Sequence, residues 1–174
     1  MAEHAELIGI LNEAVSLEYT AVVQYNQHSV LVMGRDRVLF EDFFKHSAQE
    51  ALSHAKMWAE RIVYLGGVPT VEIGTIRQSS NVTEMLEMDM ELEQRAVEVY
   101  TRAHRACKHE PTRYMLENHI MDEDKDVEEI KKMLGKVTVD VGVDGRAVGL
   151  EVEPHFHFDL GGERNGGAAG HTRP

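Results

Sequence analysis

The chain has one cysteine, Cys107, among its 174 residues. A lone thiol excludes an intrachain disulfide and any thiolate cage for zinc or an iron–sulfur cluster. Basic residues are also scarce, with 18 Lys and Arg against 30 Asp and Glu and a formal net charge of -12. That balance favours metal cations and disfavours non-specific contact with nucleic acid. No basic arm is present, nor a patch mixing bases with aromatics that would follow a phosphate backbone, so no nucleic-acid partner is expected. No apolar run approaches the length that spans a membrane. The opening Met1-Ala-Glu-His-Ala-Glu6 lacks the basic and then apolar order of a secretory leader. The expected location is therefore the cytoplasm, with no membrane partner.

What is present is a repeat. Glu18-Tyr-Thr-Ala-Val-Val-Gln-Tyr25 returns as Glu93-Gln-Arg-Ala-Val-Glu-Val-Tyr100, sharing Glu-x-x-Ala-Val-x-x-Tyr. Each copy sits in a long helical stripe and is followed by a second helical stretch with its own acid and a companion ligand-type residue. These are Glu50 with His54, and Glu123 with Asp126. Two similar halves of two helices each point to an all-α fold, an antiparallel four-helix bundle with a dinuclear metal site inside.

The periodicity predicts a first helix from about Glu3 to Met33, with the stripe Leu7, Leu11, Ala14, Glu18, Val22, Tyr25. Gly34-Arg-Asp-Arg37 breaks it. The second helix then runs to about Leu65, on the stripe Phe43, Ser47, Glu50, His54, Trp58, Ile62, Leu65. Gly66 and Gly67 stop it and Pro69 prevents a restart. Val68 to Ser80 has no helical period and is too long for a tight turn, as a crossover between bundle ends requires. The third helix opens on a capping box, Asn81-x-x-Glu84, and carries Leu86, Met90, Glu93, Val97, Tyr100, His104 and Cys107. Pro111 suits the first turn of the fourth helix and Gly135 its stop; between them lie Leu116, Ile120, Glu123, Val127, Ile130 and Leu134. Val137, Val139, Val141 and Val143 then alternate with polar or small residues before Asp144-Gly145, predicting a C-terminal β-hairpin. The expected division is a bundle over 1–135, a β-hairpin extension over 136–160 and a Gly-rich tail over 161–174.

Glu18, Glu50, Glu93 and Glu123 each interrupt an apolar stripe near mid-helix. At about 1.5 Å rise per residue, four mid-helix positions meet at one height in an antiparallel bundle. Several carboxylates in a dry core are prohibitive unless protonated or paired with cations. No Lys or Arg interrupts the stripes at that height, so bound metal is the simple resolution. His54 and Asp126 sit one turn beyond Glu50 and Glu123 and can share their metals. The candidate ligands are thus Glu18, Glu50, His54, Glu93, Glu123 and Asp126. A buried tyrosine needs a polar partner, and Tyr25, two turns from Glu18, is the candidate catalytic residue through a hydrogen bond to a site carboxylate. His46 and His119 are read as ordinary, partly exposed histidines, and Pro154-His155-Phe156-His157-Phe158 as a packing tail.

At these residues the sequence resembles the bacterioferritins of the ferritin-like superfamily. Leu11-Asn-Glu-Ala-Val-Ser-Leu-Glu18 through Tyr25 is similar to their first helix, His54-Ala-Lys-Met-Trp58 through Pro69 to their second, and Asn81-Val-Thr-Glu84 to the start of their third. The resemblance implies a di-iron ferroxidase centre, with Glu18 and Glu93 as terminal ligands and Glu123 as a bridge. It also shows departures. The family carries Glu-x-x-His on the second and fourth helices. Here Ala51 stands at the bridging position, Glu50 and His54 are spaced by four, and Asp126 replaces the fourth-helix histidine. Mostly oxygen donors at the second position suit hard ions such as Fe or Mn, while Zn is an alternative at the first. Leu52 stands where the haem-ligating methionine would be, so no haem is expected. A homo-oligomer is expected, and the predicted hairpin, standing where cage-forming relatives have a fifth helix, does not favour a 24-subunit cage.

The leading expectation is a di-iron protein that binds Fe(II) and oxidises it with O₂ or peroxide in iron handling or storage. The alternatives are a non-storing Fe or Mn peroxide-scavenging oxidase, and a metal-binding bundle without turnover.

Overall fold

A computed structural model describes residues 4–140 of the chain. Two compact units divide at Thr138, and the described structure lies almost wholly in the first. The predicted 161–174 tail, His155, His157 and most of the expected β-hairpin fall outside the described residues. The described start of that hairpin, residues 137–140, forms no strand.

The first unit is built from α1 (Ala5–Leu31), α2 (Arg37–Tyr64), α3 (Val82–Ala106) and α4 (Glu110–Met133). α1 packs along α2, α3 along α4, and α1 also meets α3. Side-chain contacts across α1 and α3 run in opposite directions along the two helices: Glu18 meets Tyr100, Tyr25 meets Glu93, and His28 meets Asp89. These two helices are therefore antiparallel.

Glycine terminates two helices for a physical reason. At the end of α2, Gly66 has φ +83°. Its N–H bonds to the Val63 carbonyl and that of Gly67 to the Ile62 carbonyl. Gly135 at φ +65° closes α4 the same way, with bonds to Lys132 and, through Lys136, to Lys131. Both are left-handed caps that a side chain would strain. Gly67 also has no room for a Cβ, which would lie 2.8 Å from Ile8 Cγ2.

The crossover between α2 and α3 climbs the length of α1, held by polar side chains of that helix. Asn12 Oδ1 accepts from Thr70 N at 2.7 Å, Thr20 Oγ1 from Gly74 N at 2.7 Å, and Gln24 Oε1 from Arg77 N at 2.9 Å. Extended backbone without a sheet partner needs such acceptors. At its end Asn81 caps α3, its Oδ1 accepting from Thr83 N and Glu84 N. The expected reciprocal half of the box is filled differently. Ser79 Oγ, not Glu84, accepts from Asn81 N, and Glu84 instead accepts from Ser79 Oγ at 2.6 Å.

The core runs in two clusters along the bundle. One includes Leu11, Val15, Trp58, Ile62, Tyr100 and Leu116; the other includes Tyr25, Phe44, Ala48, Ala51, Met85, Leu86 and Ile130. The buried stripe of α2 differs from the predicted one over its first half. It reads Phe44, Ala48, Ala51, Ala55, Trp58, Ile62. Phe43, Ser47, Glu50 and His54 sit one position away from it. Three buried alanines face the neighbouring helices here. Small side chains bring backbones close, so packing rather than residue size chooses the inward face.

Candidate metal centre

The repeat recognised in the sequence has a direct structural meaning. Tyr100 Oη, in the second copy, donates to Glu18 of the first at 2.5 Å. Tyr25 Oη, in the first copy, donates to Glu93 of the second. In an antiparallel α1/α3 pair, a tyrosine two turns beyond its own glutamate comes level with the other one. The two halves thus clamp each other's acids. Burial, and then the charge of its glutamate partner, keeps each phenol well above its ordinary pKa.

Between these clamps four donor groups converge: Glu18 from α1, His54 from α2, and His119 and Glu123 from α4. One donor atom from each lies within 4.8 Å of all the others. Glu18, His119 and Glu123 are buried, and His54 is partly so. His54 Nδ1 is 3.1 Å from Glu123 Oε1 and 3.7 Å from Glu18 Oε2. His119 Nε2 is 2.9 Å from Glu123 Oε1 and 3.6 Å from Glu18 Oε1. Despite that approach, His119 Nε2 and Glu123 Oε1 have no hydrogen-bond partner. The atoms are close enough but not aimed at each other. Buried polar atoms are almost always satisfied, and an orphaned nitrogen and oxygen facing one small space fit a cation. Two imidazole nitrogens and two carboxylate oxygens are also the donors that Fe or Zn accepts.

The surrounding residues hold this arrangement. The His119 ring packs edge-on against Tyr100 and His54, each at 4.3 Å between centroids, and against Trp58 at 5.4 Å. Trp58 and Tyr100 also lie 5.4 Å apart, forming an apolar wall on one side of the cluster.

The charges are strongly coupled. Burial disfavours a charged His54, but Glu123 and Glu18 outweigh it and lift its pKa to about 10. His119 is raised for the same reasons, again against the effect of burial. Burial and the charge of Glu123 push Glu93 well up, whereas Glu123, against its own burial, is held down by His119 and His54. Burial, Glu123 and Glu50 bring Asp126 up to about 6.

The six sequence-predicted ligands therefore occupy different places. Glu18, His54 and Glu123 belong to the four-donor cluster. Glu93 lies beside it, engaged by Tyr25. Asp126 lies at its edge, partly buried. Glu50 is on the outer side of α2, with its side chain 47% exposed and 3.4 Å from His46. Its displacement follows from the phase of α2, which turns Ala51 inward. His119, read from sequence as a partly exposed histidine, is only 4% exposed. The missed signal is its spacing: one turn before Glu123, it lies on the same inward stripe as Leu116 and Val127.

A second buried polar group lies farther along α1. His28 Nδ1 meets Asp89 Oδ2 at 2.8 Å, and Gln24 Nε2 donates to Asp89 Oδ1 at 2.9 Å. None of these side chains reaches solvent. His28 Nε2 lies 3.2 Å from the Arg77 carbonyl, so the group ties α1 and α3 to the crossover.

The fold has known counterparts. The family model for the ferritin-like domain matches residues 8–138. A bacterioferritin of Mycolicibacterium paratuberculosis is 26% identical over 136 residues, covering 74% of this chain and 84% of that protein. One from Desulfovibrio desulfuricans is 33% identical over 109 residues, covering 60% and 59%. Another from Streptomyces coelicolor is 30% identical over 94 residues, and the match spans only 56% of its length. A crystal structure described as that of ferritin-like, diiron-carboxylate proteins from Bacillus anthracis superposes with a TM-score of 0.74 at 31% identity, covering 77% of this chain and 99% of that one. The chain belongs to the ferritin-like domain family and is a bacterioferritin-like member of it.

Proposed function

We propose that this protein is a di-iron protein of ferroxidase type, binding Fe(II) and oxidising it with O₂ or peroxide as part of iron handling. The observation that carries the reading is the pair of buried, unsatisfied donor atoms, His119 Nε2 and Glu123 Oε1, facing Glu18 and His54. A pair of bound irons supplies one electron each to the oxidant.

The chain's own residues do the rest. Glu18, His54, His119 and Glu123 offer nitrogen and oxygen donors to one position. Glu93 and Asp126 offer oxygen beside it, with Glu123 between the two. Tyr25 and Tyr100 orient Glu93 and Glu18 through their hydroxyls. Trp58 and Tyr100 keep water from the His119 side. Metal entry must displace the proton that Glu18 and Glu123 hold on His54, because ligands must be deprotonated. Glu50 is not needed in this set. A homo-oligomer located in the cytoplasm is part of the proposal, supported by likeness to the bacterioferritins.

Anaerobic titration of metal-free protein tests the reading and should saturate near about two Fe(II) per chain. Admitting O₂ should then oxidise that iron faster than free Fe(II) under the same conditions. No saturable binding would refute the proposal. Binding without faster oxidation would support the second reading, a metal-holding bundle without turnover. What favours that second reading is Asp126, a short side chain outside the four-donor cluster.

A further inference from the structure

We propose that the first ion this chain binds sits in a closed, four-donor site made by Glu18, His54, His119 and Glu123, with His119 as the fourth ligand. The proposal rests on the metal-binding reading above and goes beyond it by setting the order, coordination and selectivity of binding.

Geometry is the first ground. Donors about 2.0–2.1 Å from a tetrahedral ion lie about 3.4 Å from one another. The contacts His119–Glu123, His54–Glu123, His119–Glu18 and His54–Glu18 measure 2.9, 3.1, 3.6 and 3.7 Å, the two to Glu18 reaching its different oxygens, Oε1 and Oε2. Taking one donor atom from each residue, all lie within 4.8 Å of one another, so the cluster closes on one four-coordinate ion by side-chain shifts alone.

The second ground is the state of the donors. His119 is 4% exposed, its ring is packed by Trp58, Tyr100 and His54, and its Nε2 faces Glu123 and Glu18 without an aligned hydrogen bond to either. An imidazole held this way has lost its rotational freedom during folding, so ligation costs little further ordering. Glu18 and Glu93 are each engaged by a tyrosine, Tyr100 and Tyr25, so the two positions differ in their donors rather than in that bond. An ion at the four-donor site meets two imidazole nitrogens. An ion beside Glu93 and Asp126 finds only oxygen donors. Binding is therefore stepwise, and the first step prefers Zn, Co or Fe over Mn or Mg.

Co(II) titration of the metal-free, full-length protein tests this, followed by visible absorption and native mass. The first equivalent should give the intense d–d bands of a four-coordinate ion, and Zn(II) should displace it. His119→Ala should weaken that first step by at least about tenfold, the lower end of what even indirect partners of a metal contribute, and abolish the bands. Glu50→Gln should leave both unchanged. Proton NMR of the Co(II)-loaded native protein gives a test free of variants: hyperfine-shifted ring protons from two imidazoles support the site, and one imidazole overturns it. A first step unchanged by His119→Ala, or weakened instead by Glu50→Gln, would overturn the role of His119. Weak six-coordinate bands in the native protein would reject the closed site but leave the di-iron reading standing. Failure to bind Co(II), Zn(II) or Fe(II) at all would remove both.

Discussion

Replacing Asp89 with alanine should destabilise the bundle far more than any change at an exposed ion pair. Asp89 is wholly buried and accepts from Gln24 Nε2 at 2.9 Å while facing His28 Nδ1 at 2.8 Å. Alanine leaves both groups in the core without that acceptor. Each orphaned group costs about 1–3 kcal/mol, so the two together should cost about 2–6 kcal/mol. At about 2–4 °C per kcal/mol for a chain of this size, the melting temperature should fall by about 4–24 °C. The damage should also be local. Gln24 and His28 hold Arg77 of the crossover through its N–H and carbonyl, so amide exchange at Gly74 and Arg77 should accelerate. The comparison is Glu91→Ala, which removes a pair with Arg77 whose Glu91 side chain is 61% exposed. That change should cost less than about 1 kcal/mol. Thermal and urea unfolding of EDTA-treated protein would check the pair of variants. Equal stability of Asp89→Ala and Glu91→Ala would refute the idea that this buried group pins the crossover.

Three further outcomes are expected. Asn81→Ala should cost about 1 kcal/mol in urea unfolding, because Thr83 N and Glu84 N lose their cap; no loss would show that Ser79 alone sets the start of α3. Stability of the metal-free protein should fall with rising pH: His54, raised to about 10, contributes fully below the ordinary histidine value of about 6.5 and loses that contribution as pH climbs through about 10. Metal must displace the same proton, so the gap in melting temperature between loaded and EDTA-treated protein should widen from about pH 7 to about pH 9, and a narrowing gap would contradict this. Haem supplied during expression should leave no methionine-ligated Soret band, since Leu52 stands half-exposed on the outer face of α2; a stoichiometric haem spectrum would show otherwise.

Sequence periodicity determined much of this protein by itself. Four long apolar stripes, two glycine stops, the Asn81 cap and the unpatterned Val68–Ser80 segment specify four helices and a long crossover. These features are local: they depend on residues within a turn or two of each other. The acids Glu18, Glu93 and Glu123 were legible because a carboxylate in an apolar stripe is conspicuous wherever the stripe packs. Only the tertiary structure decided which polar residues of α2, α3 and α4 turn inward. Successive residues differ by about 100° around a helix, so an error of one position moves a side chain from site to solvent. Alanine carries too little apolar surface to mark the correct phase, and Ala48, Ala51 and Ala55 therefore hid the true inner face of α2 and sent Glu50 outward. His119, Asp89 and His28 were missed for the complementary reason. Histidine or aspartate is buried when a partner on another helix compensates it, and Glu18 lies far from His119 in sequence, as Gln24 and His28 do from Asp89. The crossing of α1 over α3 supplies the compensation for Asp89 and His28, and it also sets each repeat's tyrosine against the other repeat's glutamate.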